Sequence, residues 1–334
     1  MRIAVLTPDG EGQLGVSFAR ALSLEGHEAP VIEAGALTAG SRELIVARRL
    51  KAERALSAAL RRPIERKLAE LAPQVTLVVK GRFLSAADVE ALRRASGGLV
   101  VNYFPDNPFF PDLYERPVVD ALRAYDAVFI WSQDLAERLA RIGVRSAHYL
   151  PFGYDEELYR PARPVGDAEY DVAFVGQWSA LRERHIRALA GLRVVVAGPG
   201  WERRIAPHAE WCTVVPGMPH GRQAADVYDR CNVGLNVLHP QNAHAHNMRT
   251  WELPATGAPC AMTASDCHER LFGTTGISAF DGPERVRGAV EALLEDESAR
   301  RSMAEAGHAA VRHGTYRARM RDLLSIVDGV APAR

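Results

Sequence analysis

Cysteine is scarce and one-sided in this chain. Its four thiols, Cys212, Cys231, Cys260 and Cys267, all lie in the second half, and none belongs to a C-x-x-C pair. This excludes a disulfide framework and a recognisable zinc spacing, and fits reduced thiols in a cytoplasmic compartment. Long apolar runs are missing too. Nothing approaches the roughly 18 residues of a membrane span, and Met1 leads straight into the strand-like Ile3-Ala4-Val5-Leu6 without a signal-peptide core. Neither export nor membrane insertion is expected. Net charge is absent, Lys+Arg and Asp+Glu numbering 41 each, so no whole-molecule field draws in nucleic acid, and no nucleic-acid partner is expected. A D-x-D sequence is also lacking, so no such carboxylate pair is there to hold a Mg²⁺-bridged nucleotide.

What is present is a globular composition, 47% hydrophobic and 25% charged over 334 residues, long enough for two domains with a core each. Short apolar runs at 3–6, 29–32, 75–79, 99–103, 127–131 and 147–150 read as strands, with helical stretches at 14–24, 85–94 and 134–142 between them. Continuous apolar strands alternating with helices indicate a parallel sheet covered on both faces. Periodicity fails over 151–166 (PFGYDEELYRPARPVG), where three prolines suggest a linker. The alternation then restarts, with strands expected at 172–175, 193–196, 213–215, 233–236, 259–262 and 277–280. Residues 283–329 read as two or three successive helices interrupted near His313-Gly314. The expected organisation is a Rossmann-like domain over 1–155, a second over 167–314, and a helix over 315–330 packing back on the first domain. Residues 42–70 carry nine Lys/Arg against four Asp/Glu on a helical pattern broken at Pro63. Such a face is either solvated or in peripheral contact with an anionic membrane.

Several motifs carry chemistry. Gly10, Gly12 and Gly15 spell G-x-G-x-x-G after the first strand, and Glu33 stands where a dinucleotide fold holds ribose. Thr7-Pro8-Asp9 displaces the first glycine from the strand end, so the segment reads instead as a glycine loop offering backbone amides to a ligand, and an NAD(P) oxidoreductase becomes the minor alternative. Lys80-Gly81-Arg82 places cations at a strand's carboxyl end, where open α/β sheets bind ligands. Asp106, in the rigid loop Pro105-Asp106-Asn107-Pro108, is the carboxylate suited to take an acceptor's proton, or else a turn stabiliser. Beyond Gly176, Arg182 and Arg184 sit near a helix N-terminus and suit a diphosphate. The tight loop Gly198-Pro199-Gly200-Trp201 suits a nucleobase edge or stacking surface, and Tyr228 and Asn236 flank the strand before the last motif. His239, His244 and His246 cluster without a completing carboxylate or cysteine, so no metal is expected. That last motif, HAHNMRTWELPATGAPC over 244–260, has Asn247 as helix N-cap and Arg249 and Glu252 three residues apart on one face.

The pattern of two α/β domains, a proline-rich connection, a terminal helix, Leu150-Pro151-Phe152-Gly153, Phe174-Val175-Gly176 and Arg249 to Gly257 resembles the GT-B glycosyltransferases, specifically the CgeB/YkvP-like group related to the GT4-like retaining class. The resemblance implies transfer of a sugar from a nucleotide-diphosphate-sugar across a cleft between domains, with no metal cofactor. It implies donor contacts by Gly12, Gly15, Gly176, Arg182, Arg184, Gly198, Tyr228, His246, Asn247, Arg249 and Glu252, with Arg249 and Arg182 or Arg184 on the diphosphate and Glu252 on the ribose. Lys80, Arg82 and Asp106 fall on the acceptor side. Related retaining enzymes often carry a Glu eight positions before the ribose-binding one, where this chain has His244. Asp106 and His244 are therefore the catalytic candidates, with retention expected and inversion by Asp106 as the alternative. A non-catalytic sugar- or nucleotide-binding protein of the same fold is the reading from another class.

Overall fold

The computed structural model describes residues 1–8, 13–34, 53–161, 168–205, 210–242 and 245–330. The chain divides into two compact units, Met1–Pro151 with Tyr316–Arg334, and Phe152–Thr315. Each is a doubly wound α/β unit built on a six-stranded sheet in which every neighbouring pair is parallel.

The first unit contains β1 (Ile3–Thr7), α1 (Leu14–Leu24), β2 (Val31–Glu33), α2 (Glu53–Leu71), β3 (Val75–Val79), α3 (Ala86–Ser96), β4 (Leu99–Phe104), α4 (Arg116–Leu122), β5 (Ala127–Ile130), α5 (Gln133–Arg141) and β6 (Ala147–Tyr149), with strand order β2-β1-β3-β4-β5-β6. β1 and β3 are buried along their whole length, as strands with helices on both faces must be. Pro63 lies inside α2 and does not end it, contrary to the sequence expectation. On that helix Ile64 and Leu68 turn inward, four residues apart, while Arg62, Arg66 and Lys67 are exposed, and residues 42–52 of the basic segment lie outside the described residues. Gly10 and Gly12 also lie outside them. Gly15 does not extend a loop. It is buried in the first turn of α1, where a Cβ would overlap the side chain of Thr7 at the end of β1. Gly15→Ala should therefore force α1 off the sheet and cost about 1–3 kcal/mol in chemical denaturation. Unchanged stability would mean that Gly15 is not needed for this contact.

The last helix of the chain, Tyr316–Val327, belongs to this unit and packs on α1. Tyr316 meets Phe18 edge-on at 5.1 Å between ring centroids, and Arg317 and Arg321 both bond Glu25 just past the end of α1. Those two guanidiniums hold the Glu25 carboxyl below its ordinary range.

The second unit contains β7 (Tyr170–Val175), α6 (Ala180–Arg187), β8 (Val194–Ala197), β9 (Cys212–Val215), α7 (Arg222–Tyr228), β10 (Cys231–Asn236), α8 (Arg249–Ala255), β11 (Cys260–Thr263), α9 (Asp266–Phe272), β12 (Ser278–Phe280), α10 (Pro283–Glu295) and α11 (Glu297–Val311), and the terminal helix Tyr316–Val327 completes the numbering as α12. Strand order is β12-β11-β10-β7-β8-β9, so the order reverses between β7 and β10. The core comprises Val172, Phe174, Val194, Val196, Trp201, Val233 and Leu235 with the inner faces of α6 and α10. Buried Arg300 on α11 donates from Nη1 to the carbonyls of Leu293 and Leu294, closing the C-terminal end of α10.

The segment expected to be a linker is folded through residue 161. Phe152, Tyr154, Asp155 and Tyr159 are buried in the second unit, and the Tyr154 amide donates to the Gly314 carbonyl. Linkers do not carry inward-facing aromatics at this density, and the prolines had masked that signal. Three of the four cysteines are buried and Cys267 is half-buried. Among the described residues no helix is long and apolar enough to cross a membrane.

Candidate functional site

In open α/β sheets the carboxyl ends of the strands flanking the order reversal form a ligand crevice. In the second unit these are the ends of β7 and β10, and Arg182 ties them together. From the first turn of α6, its Nη1 donates to the Gln177 carbonyl at 2.9 Å and its Nε to the Val237 carbonyl at 3.3 Å. The guanidinium lies over the Phe174 ring, and a Cβ at Gly176 would come within 3.0 Å of that ring. Among the described residues no carboxylate pairs with Arg182. Burial, and then the nearby positive charge of Arg249, push it down to about 10.

Arg249 and Glu252 form the centre of the cluster. They are bonded to each other on α8, with side chains 17% and 3% exposed. Tyr159 joins them: its hydroxyl accepts from Arg249 Nη1 at 3.3 Å and donates to Glu252. Burial pushes the Glu252 carboxyl up, Arg249 and Tyr159 pulling it partly back. At Arg249 burial is the largest single influence and acts downward, but Glu252, Tyr159 and Tyr228 together outweigh it and hold the guanidinium charged. The Tyr228 hydroxyl lies within electrostatic reach of both, is buried, and has no hydrogen-bond partner among the described residues. His220, in the loop before α7, is held below the usual histidine range by burial and then by Arg249. The result is two guanidiniums and a single carboxylate that bonds only Arg249, walled by two tyrosines. Such a site has uncompensated positive charge for an anion.

Met248 immediately precedes α8 and makes no side-chain cap, and Asn247, one residue earlier, takes the capping role expected of it. Its Oδ1 accepts from the Thr250 amide at 2.9 Å, and its amide exchanges hydrogen bonds with Asn236 at the end of β10, at 2.9 and 3.0 Å. The helix start is therefore partly satisfied from within rather than left open. His246 stands beside it, stacked on His268 at 5.5 Å and edge-on to Trp251 at 5.5 Å. His268 is 1% exposed, and its Nδ1 and Nε2 bond the Thr263 carbonyl at 2.8 Å and Thr250 Oγ1 at 3.1 Å.

Burial keeps His268 below its ordinary value of 6.5, and it keeps His185 low as well. In both cases the unfolded chain takes up the proton first, so stability is complete above about pH 6.5 and falls as the pH drops below it. The Tm is expected to decline between pH 7 and pH 5. A flat profile over that range would contradict the assignment.

Other residues marked by the sequence lie elsewhere. Arg184 is exposed, one residue beyond the pair of hydrogen-bonding partners Trp178 and Glu183. Trp201 is no stacking surface: it is fully buried and donates from Nε1 to the Gly176 carbonyl at 2.8 Å. Gly198 allows that approach, because at φ +146° it lies so close to the Gly176 carbonyl that a Cβ would overlap it. Gly176 and Gly198 thus shape the β7 end by packing against each other. His244 lies outside the described residues, and His239 is in the loop beyond β10. Among the described residues no three His, Cys, Asp or Glu side chains form a metal-holding group.

Tyr159, His220 and His268 were not singled out from the sequence. Tyr159 was hidden in the supposed linker, and the other two reach the cluster only through tertiary packing.

The first unit holds a second polar cluster, at the ends of β3 and β4. Lys80 Nζ is 3.2 Å from Asp106 and Arg82 Nη1 is 4.0 Å from it, so the three residues expected on the acceptor side do meet. Arg82 also bonds Glu115 and, from Nη2, the Leu113 carbonyl at 3.2 Å. Lys80 adopts φ +67°, a left-handed conformation costing a non-glycine residue about 1–3 kcal/mol. Asn102 holds the turn by donating to the Val78 carbonyl at 3.0 Å and the Lys80 carbonyl at 3.5 Å. The turn-stabilising role considered for Asp106 falls instead to Asn107, whose Oδ1 accepts from the Phe109 amide.

Residues 179–325 match the family described as glycosyl transferase-like. No curated protein matches the chain. Among solved structures it is similar to a sucrose-phosphate synthase from Thermosynechococcus elongatus, at 13% identity over 98% of both chains with a TM-score of 0.68. It is similar to HepE of Anabaena, solved in complex with UDP-glucose, at 12% identity over 99% of this chain and 100% of that one with a TM-score of 0.69. AviGT4, a glycosyltransferase involved in avilamycin A biosynthesis, aligns at 17% identity over 99% of this chain and 98% of that one with a TM-score of 0.63. At such identities the likeness is one of fold. The fold is that of the GT-B glycosyltransferase structures, and the glycosyl transferase-like match covers residues 179–325, the greater part of the second unit.

Proposed function

We propose that the protein moves a sugar from a nucleotide-diphosphate-sugar to an acceptor hydroxyl or amine, without a metal and with retention, and that it belongs to the CgeB/YkvP-like group. The observation that carries the reading is Arg182 beside Arg249: two guanidiniums, one lacking any carboxylate among the described residues, at the strand ends where an α/β sheet takes its ligand. A departing diphosphate supplies the negative charge this arrangement lacks, and each well-aligned charge-assisted hydrogen bond contributes about 1.5–3 kcal/mol. Arginine thereby takes the part a metal ion plays elsewhere.

In this reading Arg182 and Arg249 hold the diphosphate and the Tyr228 hydroxyl donates to it. Glu252 turns from Arg249 to the ribose hydroxyls once the phosphates engage the guanidinium. HepE, of like fold, is solved with UDP-glucose, which supports a nucleotide-sugar here. On the first unit, Asp106 with Lys80 and Arg82 orients the acceptor hydroxyl. His244 is assigned to the donor sugar by its sequence position alone.

The test is a thermal-shift series with UDP, GDP, ADP, CDP and dTDP, each with and without EDTA, followed by turnover with the sugar nucleotide of the best binder. A selective rise in Tm that survives EDTA, followed by transfer or donor hydrolysis, is expected. Stabilisation by none of the five would sink the proposal, and binding without turnover would leave a non-catalytic binding protein.

A further inference from the structure

The start of α8 is held by a closed ring of hydrogen bonds whose least expected member is His268. The ring can be assigned proton by proton. His268 Nδ1 faces the Thr263 carbonyl at 2.8 Å, an acceptor only, so Nδ1 carries the hydrogen and Nε2 is left as an acceptor. The group at Nε2 is Thr250 Oγ1, at 3.1 Å. Thr250 Oγ1 also lies 3.0 Å from Asn247 Oδ1, but that oxygen already receives the Thr250 amide at 2.9 Å and Asn236 Nδ2 at 3.0 Å. Two donors fill its two lone pairs, so the hydroxyl proton goes to His268. Asn247 returns a hydrogen bond to Asn236, and Thr263 Oγ1 closes the ring on the Asn236 carbonyl at 3.4 Å while accepting from the Leu238 amide at 3.2 Å. Thr250, His268 and Asn236 are all almost fully buried. Bulk water therefore cannot easily replace a missing member.

The ring runs from the end of β10 through the α8 cap to the end of β11 and back. Arg249 lies between two of its members, Asn247 and Thr250, and Glu252 is three residues beyond Arg249 on the same face of the helix. We propose that His268 is a positioning residue for nucleotide-diphosphate binding: it fixes the Thr250 hydroxyl, which leaves Asn247 free to cap α8 and so sets where Arg249 presents its guanidinium. Without an acceptor at His268, the Thr250 hydroxyl turns to Asn247 Oδ1 and competes with the cap and with Asn236. The first turn of α8 then loses its fixed position while Arg249 and Glu252 are both still present. The inference rests on the donor-site reading above.

The experiment compares His268→Gln, His268→Asn, His268→Leu and Thr250→Val in the full chain, using UDP, GDP, ADP, CDP and dTDP as probes and Arg249→Ala as the reference. Glutamine can place an acceptor near the position of Nε2, whereas asparagine can reproduce only the Nδ1 contact. Loss of one buried hydrogen bond corresponds to about a tenfold change in affinity. His268→Asn and His268→Leu should each weaken the best-bound diphosphate by about tenfold, whereas His268→Gln, which keeps an acceptor, and Thr250→Val, which removes the competing hydroxyl, should stay within about threefold of wild type. Thr250→Val combined with His268→Leu should recover most of the affinity lost in His268→Leu, because no hydroxyl is left to compete with the cap, and a double variant as weak as His268→Leu would overturn the inference. In turnover the donor KM should rise more than kcat falls. A role confined to stability would instead lower the ligand-free Tm alike in the Gln and Asn variants and leave affinity unchanged, which would overturn the inference even where Arg249→Ala weakens binding. Should wild type bind none of the five, the donor reading fails and this inference falls with it.

Discussion

Arg249→Ala is expected to weaken nucleoside diphosphate binding by roughly ten- to a hundredfold and to destabilise the second unit by about 3–5 kcal/mol at neutral pH. The two effects have separate origins. Affinity falls because a guanidinium that is held charged disappears from beside Arg182, leaving one cation where two had converged. Stability falls because Glu252, 3% exposed, loses its strongest partner and keeps the Tyr159 hydroxyl. Burial then raises the orphaned carboxyl further above its ordinary value of 4.5. In the variant, folding favours the protonated acid, so the destabilisation is small at acid pH and grows as the pH rises through the raised folded value. Urea denaturation at pH 5 and pH 8 tests this sign, and calorimetry tests the affinity. Glu252→Gln provides the contrast, because it keeps both guanidiniums: stability should fall while inorganic pyrophosphate still binds. Equal diphosphate affinity in wild type and Arg249→Ala would show that the phosphates are held elsewhere.

The second large effect is expected in the first unit. Asp126 is 0% exposed at the entry to β5, and its Oδ2 accepts from the Val100 amide at 2.7 Å and from Arg93 Nε at 3.3 Å. Asp126→Ala should cost roughly 3 kcal/mol or more, since it strands a buried amide and removes a carboxylate from a guanidinium that is only 14% exposed. Arg93 retains Glu90 at 2.6 Å, which limits the loss. Asp126→Asn keeps an acceptor for Val100 but not the charge, and should cost about half as much. Val100 is the second residue of β4, whose end leads to Asp106, so under the proposed function turnover should fall along with the denaturation midpoint. An alanine variant as stable as wild type would mean that Val100 and Arg93 find other partners.

Much of the framework was legible locally. Strand runs such as Val75–Val79 and the helix Leu14–Leu24 match the expected ranges, because continuous apolar runs and a helical apolar period are properties of neighbouring residues. Asn247 capping α8 and Arg249 meeting Glu252 three residues on are equally short-range. The Pro63 break and the linker over 151–161 do not hold, because a proline need not interrupt a folded segment, and residues 162–166 of the expected linker lie outside the described residues. Tertiary contacts at Ile64, Leu68, Phe152 and Tyr159 outweigh that local preference.

What the sequence determined by itself was two doubly wound sheets, their helices, and an arginine–glutamate pair on a capped helix, since all of these follow from spacing along the chain. Only the tertiary structure decided which groups surround that pair. Tyr159 lies 90 residues before Arg249, and His268 lies 18 residues beyond Thr250. Trp201 and Gly15 turn into the packing rather than toward a ligand, and Arg182 bridges two strand ends that become neighbours only when β10 pairs with β7. Those placements depend on strand order and on which face each side chain buries, and neither is encoded in the local period.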